Sequence, residues 1–170
     1  MKSFSNFIAM NLEKNIDTNG LKDLREALIA ITKRREREKQ VEEQKEKDLL
    51  PKVKTLKESL ANLTIEHLQP VFKMAGEEIV VAYNDPKIKG DDFIELLFYP
   101  KGFSKEIRGV NTAALRFVFN PKEGRIRVLQ RNSLFPLPLK ESESISIDEN
   151  SELTLSNKAI EFAKQVAEIQ

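Results

Sequence analysis

The chain has 170 residues, 40% hydrophobic and 32% charged, which suits one cored domain beside a heavily solvated part. It has no cysteine, which excludes a disulfide framework, thiolate zinc sites and a thiol nucleophile together. The net charge of +1 hides an asymmetry: residues 101–140 carry nine basic and two acidic side chains, and residues 141–170 carry two and seven. With no 18-residue apolar run and a poor secretory start, a soluble cytoplasmic protein without membrane span is expected.

Phe4, Ile8, Leu12 and Ile16 recur every four residues, which predicts an amphipathic helix over 4–16. Asp17-Thr18-Asn19-Gly20 reads as a turn, since Asn-Gly is a strong turn signal. A long charged helix over 21–49 comes next, opening with Leu21, Leu24, Leu28 and Ile31 at heptad spacings of 3, 4 and 3. That seam fails over 33–48, where Val41 is the single aliphatic residue, and returns with Leu49, Val53, Leu56, Leu60 and Leu63. Both stretches are candidate self-association surfaces. Residues 33–39 carry five basic and two acidic side chains and residues 40–48 two and four, so antiparallel copies would set opposite charges face to face. A homo-oligomer is expected, with a dimer favoured.

Pro51 removes a donor and disfavours the α region at Leu50, which predicts a kink or restart there. Short helices are expected over 52–75, with Thr55 and Glu58 at capping-box spacing and Gly76 closing the last one. The period then becomes strand-like. Residues 78–84, 93–100, 114–120 and 125–131 read as strands, and 144–147 as a short edge strand. A final helix capped by Ser156 shows Ile160, Ala163, Val166 and Ala167 on one face. The expected architecture is α+β. A helical arm spans 1–63, a connecting helix 64–76, and a small, mostly antiparallel sheet of four or five strands with a packed C-terminal helix spans 77–170.

Catalytic chemistry finds little support. His67 is the only histidine, no HExxH spacing occurs, and neither GxxxxGK[ST] nor GxGxxG is present, so no cofactor or metal is expected. Asp85, Asp91, Asp92 and Glu95 form an acidic cluster, but the lysine of an acid-x-Lys strand is missing after Glu95. The stronger signal is basic: Lys101, Lys105, Arg108, Arg116, Lys122, Arg125, Arg127 and Arg131 fall within 31 residues. Strand alternation puts Arg116, Arg125 and Arg127 on one sheet face. They suit a phosphate backbone or an acidic partner, or they are balanced internally by residues 141–152, which carry five acids and no base. The expected function is a non-catalytic oligomeric adaptor whose small sheet domain binds a macromolecular partner. The alternative is a nucleic-acid-binding protein using the basic face of 101–131.

Overall fold

In the computed structural model the described residues are 17–84, 90–101, 112–132 and 138–169; the helix expected over 4–16 lies outside them. The architecture is α+β: a long helix, a five-stranded antiparallel sheet and a C-terminal helix. The chain divides into two units, Met1–Val41 and Glu42–Gln170. Sequence places the boundary after residue 63. It falls earlier because Val53, Leu56 and Leu60 are buried in the core that the sheet builds.

Helix α1 runs Thr18–Leu63 without a break. Its start corrects the expected turn over 17–20. Asp17 is the cap: its carboxylate accepts the Asn19 N–H at 3.1 Å, and its carbonyl accepts the Leu21 N–H at 3.0 Å. Asn19-Gly20 therefore sits inside the first turn. The expected break at Pro51 is also absent. An interior proline costs about 3 kcal/mol, whereas burying an aliphatic side chain contributes about 1.5–3 kcal/mol. Three such side chains just beyond Pro51, at positions 53, 56 and 60, outweigh the proline. Thr55 makes no capping box; its hydroxyl donates to the Pro51 carbonyl at 3.1 Å.

The helix then widens into a π turn, Thr64–Leu68, in which the Gln69 N–H reaches back five residues to the Thr64 carbonyl. Pro70, in the first turn of helix α2 (Gln69–Met74), explains the widening: its ring would crowd the carbonyl four residues earlier in a regular helix. Gly76 closes α2 as expected. At φ +78° it lets its own N–H bond Lys73 O and the Glu77 N–H bond Phe72 O, at 3.1 and 3.0 Å.

The strands are β1 (Glu78–Asn84), β2 (Asp92–Tyr99), β3 (Ala113–Asn120), β4 (Arg125–Arg131) and β5 (Lys140–Ser146), each antiparallel to the next in the order β1-β2-β3-β4-β5. One face carries Ile79, Ile94, Leu96, Phe98, Leu115, Phe117, Ile126 and Val128, all buried. They share a core with Val53, Leu56 and Leu60 of α1, Phe72 of α2, and Leu155, Phe162 and Val166 of helix α3 (Ser151–Ile169). Phe98 stands at its centre, edge-on to Phe72 and Phe162 with ring centroids 5.5 and 5.4 Å away. Helix α3 begins before the expected Ser156. Buried Ser151 accepts the Asp148 N–H at 2.7 Å and donates to Ser146 O at 3.1 Å, which fixes the turn from β5 into the helix.

Candidate partner-binding surfaces

The second sheet face is where the basic side chains gather, because residues two apart on a strand point the same way. Register sets Glu95 opposite Arg116 and Arg116 opposite Leu129; Val118 lies opposite Arg127, and Asn120 opposite Arg125. Ala114 and Val118 are buried on this face but stand outside the helix-side core.

The arginines have company within the chain. Arg116 meets both carboxylate oxygens of buried Glu95, each at 3.2 Å, and its guanidinium lies 4.1 Å from the Phe93 ring centre. Arg127 reaches Asp91 at 3.4 Å and Glu141 at 3.7 Å. Arg131 donates to Thr112 O at 2.7 Å. Lys122 approaches Glu46 at 3.9 Å. Arg125 and Lys101 are exposed, and Arg125 has no acidic partner among the described residues. Lys105 and Arg108 lie outside those residues.

The acidic block after the hairpin does not lie over Arg116. Residues 140–146 form the edge strand beside β4, and a bulge between Val128 and Leu129 pairs those residues with Glu143 and Glu141, skipping Ser142. Two residues apart in a regular strand, these glutamates would share one face. The bulge sends Glu141 to Arg127 and Glu143 to the helix side, where it bonds Lys158 of α3. No sequence signal marks it.

The acidic cluster is taken apart in the same way. Asp91 bonds Arg127, Glu95 bonds Arg116, and Asp92 turns to the helix side, 2.5 Å from Lys57 of α1. Asp85 lies outside the described residues. Among those residues, no three His, Cys, Asp or Glu side chains are grouped to hold a metal ion. His67 is exposed on the π turn. No helix among the described residues is long and apolar enough to cross a membrane.

No protein-family model matches this chain, and no curated protein or solved structure matches it.

The two leucine seams take different places. Val53, Leu56 and Leu60 are 1–3% exposed, and Leu63 packs against the same core with Leu49 half-buried. The chain's own sheet fills this seam, which corrects its assignment to self-association. Leu21, Leu24, Leu28 and Ile31 are 47–55% exposed. Leu21, Leu24 and Leu28, with Ile29, line an apolar groove of about 490 Å³ edged by Arg25, Lys33 and Glu36.

One further surface escaped the sequence. Tyr83, near the end of edge strand β1, is 54% exposed and shares a groove of about 340 Å³ with Leu50 and Val53. Burial, and secondarily the Glu58 carboxylate, push its phenol above the usual tyrosine value.

Proposed function

We propose that the protein is a non-catalytic cytoplasmic adaptor that self-associates through Leu21, Leu24, Leu28 and Ile31 and presents its sheet unit to a macromolecular partner. The observation that carries this is the exposed seam: four large aliphatic side chains at 3, 4, 3 spacing, each about half exposed, ahead of the charged stretch 33–48. A second copy is the occupant, because a heptad seam is complementary to itself.

Charge and burial together choose the register. Parallel copies would set the basic stretch 33–39 against itself. Antiparallel copies centred on the 39–40 junction would lay Leu24 and Leu28 against partner positions 55 and 51, beside a seam already filled by the sheet. Antiparallel copies centred on Glu26 set Leu21 against Ile31 and Leu24 against Leu28, and keep the like-charged stretches apart. This is the arrangement we favour.

The chain has no cysteine, so single cysteines give a clean test. Leu24→Cys copies mixed with Leu28→Cys copies should oxidise to the mixed disulfide, with little self-linking by either. Self-linking of Leu24→Cys would reverse the orientation; no linkage in any mixture overturns self-association by this seam. The nucleic-acid alternative keeps exposed Arg125 as its best contact, while the internal partners of Arg116, Arg127 and Arg131 count against a phosphate role for them. Salt-sensitive retention on heparin that Arg125→Glu abolishes would favour that alternative.

A further inference from the structure

The sheet has two edges, and they are finished differently. Edge strand β5 carries Glu141 and Glu143 with a bulge in its pairing, the devices that keep a strand edge from accepting another strand. Edge strand β1 carries no charge from Ile79 to Tyr83, no proline and no bulge; its seven residues pair with β2 in unbroken register. Gln69 of α2 closes its first half, donating to Ile79 O at 2.8 Å from outside the sheet. Ile79 therefore turns its backbone groups away from β2, and alternation turns those of Val81 and Tyr83 the same way. Among the described residues nothing bonds these outward groups of Val81 and Tyr83.

We propose that this open half of β1 pairs antiparallel with β1 of a second copy about a two-fold axis at Ala82. Side-chain complementarity selects both occupant and register. Val81 and Tyr83 then face each other twice across the axis, each pair exchanging both backbone hydrogen bonds. The half-exposed Tyr83 ring lies over the partner's Val81, an aromatic and β-branched cross-strand pair of the favourable kind. Ala82 meets its own copy at the close, non-hydrogen-bonded position, where a small side chain suits the approach. Glu78 stays clear of the partner's Glu78, so no like charges are opposed. Ile79 O keeps its Gln69 donor, which ends the paired stretch.

This contact is independent of the helical seam, and four full-length chains separate the two by sedimentation: wild type, the seam variant Leu24→Glu/Leu28→Glu, the edge variant Tyr83→Lys, and their combination. The seam variant should remain a dimer that dissociates on dilution, and adding Tyr83→Lys should halve its mass. Val81→Pro is a second edge variant: of the backbone it removes an outward N–H and spares the β2 ladder, and of the core it gives up part of the Val81 packing, so a cooperative thermal transition should survive at a lower midpoint while the dimer is lost. Amide hydrogen exchange reads the contact directly. Val81 and Tyr83 should be protected at high concentration and lose that protection on dilution. A seam variant that is monomeric at every concentration, or a dimer indifferent to both edge substitutions, overturns the pairing and leaves the seam proposal standing. Unprotected Val81 and Tyr83 amides at the highest concentration overturn it as well.

Discussion

Two stretches of one helix carry the same kind of apolar stripe and meet opposite fates. Leu21, Leu24, Leu28 and Ile31 face solvent at about half exposure, whereas Val53, Leu56 and Leu60 disappear beneath the sheet. Periodicity reports that a helix has an apolar face and not what covers it. The deciding difference lies in the elements that come next along the chain. The second stripe is trailed by a π turn, a short helix and the first strand, which bring the chain back over it.

The largest effect should come from treating both stripes alike. Leu60→Ala is expected to lower unfolding stability by about 2–5 kcal/mol, from lost burial and the cavity left behind. Leu24→Ala should stay within about 0.5 kcal/mol in a dilute monomer, as exposed positions do. Urea unfolding of the two variants measures the contrast; similar losses would mean that the first stripe is covered too.

Pro51→Ala sharpens the comparison from the other side. The helix passes through Pro51 only because the second stripe holds it, so removing the proline should raise stability by up to roughly 3 kcal/mol. A raised thermal midpoint checks this. A fall would show that the proline sets a helix path the core requires.

A smaller effect is expected at the start of the second stripe. Gly124, in the β3–β4 turn, has φ +68°, and a Cβ there would lie 2.7 Å from Lys45 Cε and 3.5 Å from Leu49 Cδ1. The lysine tip can swing aside, at the loss of its 2.8 Å bond to Glu123 O. The left-handed backbone then dominates, and Gly124→Ala should cost about 1–2 kcal/mol in the same unfolding assay.

Much of the fold was legible because local physics and tertiary packing agree there. Alternation in Leu115, Phe117 and Phe119 and in Ile126 and Val128 names the helix-side face, and Gly76 marks a helix end that only a positive φ permits. Legibility failed where a distant partner decided. Pro51 and Asn19-Gly20 are local breakers overridden by burial and by an aspartate cap. The basic face was legible as a set of arginines, but its neutralisation by Asp91, Glu95 and Glu141 was not. That depends on a bulge at Ser142 and on strand pairing, which no short-range pattern encodes. The edge of β1 was hidden for a related reason: an uncharged strand reads the same whether it lies inside a sheet or at its border.

The placement of Tyr83 has an optical consequence. The chain contains two tyrosines and no tryptophan, and both tyrosines, Tyr83 on β1 and Tyr99 on β2, belong to the sheet unit. Tyrosine emission is therefore silent about residues 1–41, while far-ultraviolet circular dichroism is weighted toward helix α1. Melting one sample with both signals compares the sheet unit with the helical content of the whole chain, without a label or an added chromophore.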